Sequence, residues 1–133
     1  MSSSECKLKL LDLYFSKYDF TMTRNNDSSE YSTSFNVEYA ENNNDNSQVK
    51  ITINTSLANS TKTVVLNLQT IALFEVDREG TEESVVNQLI KQNTVAIIFP
   101  FIRSQISLLT TQPGMMPIIL PPININALLE AQK

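Results

Sequence analysis

The sequence predicts an α+β fold in a single domain over residues 1–133. A four-stranded antiparallel meander sheet is expected over about 7–76, then helices packed on one face and a proline-rich crossover loop over about 80–133. Three observations predict it. Apolar and polar residues alternate through most of the first 76 positions, the period of a half-buried strand. Beyond Gly80 the apolar spacing changes to three and four, the period of a helix. Finally, "PGMMPIILPPIN" (113–124) sets six large apolar side chains among four prolines and one glycine. Each proline lacks an N–H and fixes φ, so this run is neither a regular helix nor a central strand.

The first strand is read over Lys7–Met22. Leu8 and Leu10 share one parity while Leu11, Leu13 and Phe15 share the other, which implies a bulge, a strong twist or burial on both faces. "RNNDSSE" (24–30) supplies turn residues. The second strand alternates through Tyr31, Phe35, Val37 and Tyr39 and ends at "ENNNDN" (41–46). In the third, Val49, Ile51, Ile53 and Leu57 alternate with Lys50, Thr52, Asn54 and Ser56. "ANST" (58–61) then turns the chain into a fourth strand, Thr63–Val76. Its even positions (Val64, Leu66, Leu68, Ala72, Phe74, Val76) are apolar, and so are Val65, Ile71 and Leu73 opposite them. Both faces of that strand therefore need cover: the chain's own helices on one side, a partner on the other.

Thr81 is positioned to cap the first helix, with Glu82 and Glu83 at the positive end of its dipole. Val85, Val86, Leu89 and Ile90 form its stripe. A second helical stretch, Thr94–Thr111, places Val95, Ile98, Phe99, Ile102, Ile106 and Leu109 on one face, widened by Ile97, Phe101 and Leu108. Pro100 predicts a kink or a helix start near Ala96–Phe99. A short terminal helix, Ile125–Lys133, takes Asn124 as its cap.

Composition excludes several functions. With 41% hydrophobic and 18% charged residues the chain is globular. Two isolated glycines exclude a phosphate cradle of the GxGxxG kind. A net charge of −4 without any basic run argues against nucleic acid. There is no histidine and a lone Cys6, so no metal site, no cofactor and no disulfide are expected. Glu82 and Glu83 read as helix-start charges and Asp77 and Glu79 as turn residues, so the chain is not expected to be an enzyme. No signal peptide is expected, because Met1–Lys9 is polar. The longest apolar run, Thr94–Ile102, is short of the roughly 20 residues of a membrane span, so no membrane insertion and a cytoplasmic location are expected.

"NTVAIIFPFIRSQISLL" (93–109) followed by "PGMMPIILPPININALL" (113–129) resembles the protein-export chaperone SecB family. The match runs through Ile97-Ile98-Phe99-Pro100-Phe101-Ile102-Arg103, a glycine-led crossover loop, and Pro122-Ile123-Asn124-Ile125-Asn126-Ala127-Leu128. "LYFSKYDF" (13–20) and "LQTIALFEV" (68–76) are similar to the family's first and fourth strands, so the resemblance covers nearly the whole chain. It implies an ATP-independent holdase for unfolded or nascent preproteins in export, assembled as a homotetramer, a dimer of dimers. It implies a client groove along the loop and long helix, expected here to involve Phe74, Ile97, Phe99, Phe101, Met115, Met116, Ile118 and Leu120. Flexible, polarisable methionines suit a wall that accepts many sequences. Val65, Ile71 and Leu73 are the expected oligomer interface.

The sequence departs from the family at the positions that dock a motor protein, and Ile71-Ala72 replaces the family's Gly-Gly in the fourth strand. The acidic positions through which the family docks the SecA motor are held by Lys17, Thr21 and Asn67, so weak or absent SecA binding is expected. A SecB-like chaperone dedicated to one partner, such as the antitoxin of a toxin–antitoxin system, is the alternative reading.

Overall fold

The computed structural model describes residues 7–23, 30–41, 47–77, 82–114, 116–121 and 124–131. Four strands, β1 (Lys7–Met22), β2 (Tyr31–Glu41), β3 (Gln48–Asn59) and β4 (Val64–Asp77), precede the helices α1 (Glu83–Leu109) and α2 (Ile125–Ala131). The chain forms two compact units, Leu10–Phe74 and the remainder, Met1–Lys9 with Glu75–Lys133.

The sheet order is β1-β4-β3-β2. This corrects the expected meander: β2, β3 and β4 follow one another, but β1 crosses to the far side of β4. The polarity of the strands explains it. β4 is apolar on both faces and takes a strand neighbour on each side, whereas β2 is exposed at most of its positions and suits an edge. Ser16 Oγ donates to Gln69 Oε1 (2.7 Å) and Thr23 N–H donates to the Thr63 carbonyl (2.7 Å). Position rises along β1 as it falls along β4, so that pair is antiparallel. β2 and β3 pair antiparallel with Phe35 opposite Thr55, Val37 opposite Ile53 and Tyr39 opposite Ile51, which puts the apolar sets of both strands on one face. Along β4 the even positions Val64–Val76 are buried, and the sheet unit's core is built on Ile51, Ile53, Leu57, Leu66 and Phe74, each at most 2% exposed. Burial pushes the Tyr39 phenol up to about 12, the mark of a group held neutral against the core.

The β3–β4 turn is organised by Asn59. Its side chain accepts from Val64 N–H (3.0 Å) and donates to Thr63 Oγ1 (2.7 Å), while its carbonyl accepts from Lys62 N–H (3.1 Å). Lys62 has φ 60°, a left-handed conformation that costs a residue with a Cβ. Lys62→Gly is therefore expected to stabilise the protein by about 0.5–1 kcal/mol, read as a raised denaturation midpoint at unchanged slope.

The helical half corrects a second expectation. Where the sequence suggests two stretches with a kink or a helix start near Ala96–Phe99, there is no new start: α1 is one helix of 27 residues with Pro100 inside it. Val86, Ile90, Thr94, Ile98, Ile102 and Ile106 are buried at intervals of four, a single ridge that drifts about 40° per step around the helix and runs past Pro100, with buried Val95 and Phe99 beside it. Buried Thr94 sits on that ridge, and its hydroxyl donates back to the Ile90 carbonyl. At the start of α1, Glu82 occupies the cap position with extended backbone (φ −63°, ψ 141°) and no side-chain cap bond, and Thr81 lies outside the described residues. By length and composition α1 could cross a membrane. Eight of its residues are buried within the fold. α2 has the expected cap: Asn124 Oδ1 accepts from Ala127 N–H (3.0 Å), and Gln92 Nε2 of α1 donates to Asn126 Oδ1 (3.0 Å).

Candidate functional site

The last turn of α1 leaves carbonyls without intrahelical donors, and no basic residue lies there. Hydroxyl and amide side chains add donors there, beside the Thr110 N–H that reaches the Ile106 carbonyl (3.0 Å). Thr110 Oγ1 donates to the Ile106 carbonyl (2.8 Å), Thr111 Oγ1 to the Ser107 carbonyl (2.6 Å) and Gln112 Nε2 to the Leu109 carbonyl (3.0 Å). Gly114 then adopts φ 77°, open to a residue without Cβ, and the chain turns back.

Residues 116–121 return along α1 in extended form, fixed by three hydrogen bonds from one ridge of the helix. Ile118 N–H donates to Thr110 Oγ1 (2.8 Å), Ser107 Oγ donates to the Ile118 carbonyl (3.1 Å) and Arg103 Nε donates to the Leu120 carbonyl (3.1 Å). The spacing explains why the register works. Four helical residues rise about 6 Å, and two extended residues span about 6.6 Å, so Arg103 and Ser107 meet alternate carbonyls of the returning chain. Pro117 and Pro121 bracket the segment and hold φ.

Clamping decides which side chains show. Ile118 (8% exposed) and Leu120 (6%) point inward, while Ile119 (73%) and Met116 (83%) stand out. On α1, Ile97, Phe101 and Leu108 lie within about 40° of one another at 100° per residue, and all three are exposed. Between the helix and the returning chain lies an open cleft of about 580 Å³, lined by Pro100, Arg103, Ser104, Ser107, Leu108, Thr111 and Ile119.

The eight expected groove residues therefore separate. Ile97, Phe101 and Met116 are exposed and lie in one unit. Phe99, Ile118 and Leu120 are buried, turned inward by the helix phase and the extended alternation. Phe74 belongs to the sheet unit and is fully buried. These four side chains are packed by the chain itself and offer no surface. Met115 lies outside the described residues. Leu108 and Ile119 are also exposed and line the cleft, but are not among the expected residues. The spacing 97, 101, 108 along one ridge would have found the first, and alternation between prolines the second. Val65, Ile71 and Leu73 are half-buried on the opposite face of β4.

Lys17 and Asn67 do lie together on the sheet, beside a hollow of about 250 Å³ that also takes Asp19, Asn54, Ser56 and Gln69. Ser56 Oγ donates to Asn67 Oδ1 (2.9 Å) and Gln69 Nε2 to Asn54 Oδ1 (2.9 Å). The hollow is thus edged mainly by neutral polar groups, with one cation and one anion. Among the described residues no group of three or more His, Cys, Asp or Glu could hold a metal.

The site so defined is a set of apolar side chains kept outward by a main-chain clamp on an α+β framework. The model of the family "Preprotein translocase subunit SecB" matches residues 10–133, and the chain belongs to the SecB family, a family of chaperones. An uncharacterised protein of Methanocaldococcus jannaschii is 35% identical over 81 residues, 61% of this chain, and the chain spans about half (51%) of that relative's length. In fold, the chain is similar to the SecB-like chaperone of Mycobacterium tuberculosis, solved in complex with a ChAD peptide from an antitoxin. That match has a TM-score of 0.74 and 16% identity, over 88% of this chain and 90% of that one. A protein of unknown function from Streptococcus agalactiae matches with a TM-score of 0.60 and 13% identity, over 89% and 99%.

Proposed function

We propose that the protein is an ATP-independent holdase that binds unfolded or nascent polypeptides on the ledge formed by Ile97, Phe101, Leu108, Met116 and Ile119. The observation that carries this reading is exposure without looseness. Met116 and Ile119 are 83% and 73% exposed although their segment is tied to α1 at three points. Large exposed apolar groups on a fixed framework mark an interaction surface. Membership of the SecB family supports polypeptide as the ligand and preprotein export in the cytoplasm as the setting. The two units act as one domain, and four copies assemble as a dimer of dimers through the half-buried Val65, Ile71 and Leu73.

The test is suppression of aggregation of a chemically unfolded apolar client, with and without ATP. Equal suppression in both is the expected result, and a strict ATP requirement would refute the reading. Light scattering should give the mass of four 15.0 kDa chains, and a 15.0 kDa particle at micromolar concentration would remove the tetramer. A second reading, a chaperone dedicated to an antitoxin, is favoured by the antitoxin peptide bound to the mycobacterial structure. It predicts one tightly bound client and weak binding of the rest.

Docking to SecA is expected to be weak or absent. Surface charge contributes steering and register to such contacts, and the Lys17–Asp19–Asn67 hollow carries no net charge. Calorimetric titration at low salt should show no complex tighter than about 1 μM, roughly −8 kcal/mol.

A further inference from the structure

Among the described residues, five polar side chains are buried: Thr55, Asn59, Thr70, Thr94 and Thr110. Three of them have partners. Asn59 bonds Val64 N–H and Thr63 Oγ1, while Thr94 and Thr110 donate to the Ile90 and Ile106 carbonyls one helical turn back. Thr55 and Thr70 are 1% and 0% exposed, and their hydroxyls have no hydrogen-bond partner among the described residues. Their place in strands explains the difference. A threonine in a helix reaches the carbonyl four residues back, whereas a strand side chain stands off the sheet and the strand's carbonyls point to neighbouring strands.

The two orphan hydroxyls are neighbours. On the other face of the sheet Gln69 bonds Asn54 and Ser56 bonds Asn67, which sets Thr55 opposite Leu68 and Thr70 opposite Ile53. Both threonines belong to the buried rows of their strands, so they are diagonal neighbours on one face. Diagonal Cα atoms lie about 7–8 Å apart, with the Cβ atoms somewhat closer. An oxygen atom between the two hydroxyls is within hydrogen-bond reach of both.

We infer that Thr55 and Thr70 form a binding site for a single buried water molecule, which bridges β3 and β4 on the buried face of the sheet. The inference does not depend on the holdase reading. Each hydroxyl both donates and accepts, so the pair supplies the two polar partners that a buried water needs at the least. Ala72, next to Thr70, is the smallest side chain in the buried row of β4 and leaves space beside it. The buried rows of β3 and β4 hold no charged residue, so a neutral ligand fits there and an ion does not. Bridging satisfies both hydroxyls at once, where each alone would carry the cost of an unpaired buried group.

The test joins a high-resolution crystal structure of the full-length protein to a mutant cycle of Thr55→Val, Thr70→Val and the double variant. Valine keeps the branched shape and the strand preference of threonine, so the variants fold. Density for one oxygen atom about 2.5–3.0 Å from both Oγ1 atoms is expected in the unmutated protein. In chemical denaturation at one fixed protein concentration, each single variant should lower the folding constant about tenfold, because valine on one strand leaves the other hydroxyl unpaired. The double variant should return to within about threefold of the unmutated protein, since both polar groups go together. Hydroxyls that hold no water predict the opposite sign: each valine would raise the folding constant, and the two gains would multiply. That result would overturn the inference. So would a structure with no density between the two side chains, or one in which the hydroxyls bond each other directly.

Discussion

Phe101→Ser combined with Met116→Ser is expected to weaken client binding by about a hundredfold while moving the melting temperature by less than about 4 °C, the equivalent of roughly 1 kcal/mol in a domain of this size. The two side chains are 46% and 83% exposed in the free chain, so folding loses little when they go. A bound client covers them, and a fully covered side chain of this size contributes roughly 1.5–3 kcal/mol. Phe101 is already half covered, which places the pair nearer the lower part of that range per residue. Ile98→Ala is the contrasting control. Ile98 is fully buried in the same helix, and its truncation should cost about 2–5 kcal/mol of stability. A double serine variant that melts like the Ile98 variant and still holds client would mean that the ledge is core and the binding surface is elsewhere.

Much of this framework is legible in the sequence where the determinant is local. β3 and β4 were expected within two residues of their ends because a period of two is written directly into Val49–Leu57 and Val64–Val76. Asn124 at the start of α2 announces its cap by residue type alone. The place of β1 was not legible. Its pairing with β4 joins positions about fifty apart in the chain, and short connections elsewhere made a sequential meander the simpler reading. In α1, Pro100 suggests a kink or a helix start, whereas the helix and its buried ridge from Val86 to Ile106 run on through it. The loop shows the same limit at smaller scale. Prolines indicate that 116–121 is extended, but which of Ile118, Ile119 and Leu120 faces inward depends on bonds from Arg103, Ser107 and Thr110 across the returning chain. Phe99 and Leu120 are as apolar as their exposed neighbours, so residue type alone does not tell that they are buried.

Thr110→Val is expected to cost about 1–3 kcal/mol of stability and to reduce client binding with it, which separates it from the ledge variants. Thr110 is fully buried at the end of α1, and its hydroxyl works in two directions. The proton goes to the Ile106 carbonyl (2.8 Å), and the oxygen accepts the Ile118 N–H (2.8 Å). Valine matches the shape but removes the acceptor, leaving the Ile118 N–H buried without its partner. Of the three ties that hold the returning chain, this one lies closest to the Pro113–Gly114 turn, so its loss frees the segment carrying Met116 first. The free segment must then be ordered again whenever a client binds, an entropic cost that appears as weaker affinity without any loss of apolar contact area. Thr110→Ser keeps the hydroxyl and should recover both stability and binding, apart from the small loss of one methyl group. Thermal unfolding and client anisotropy on the Val and Ser variants give the comparison. If Thr110→Val lowers stability but holds client as well as the unmutated chain, the clamp serves the fold alone and the outward display of Met116 and Ile119 does not depend on it.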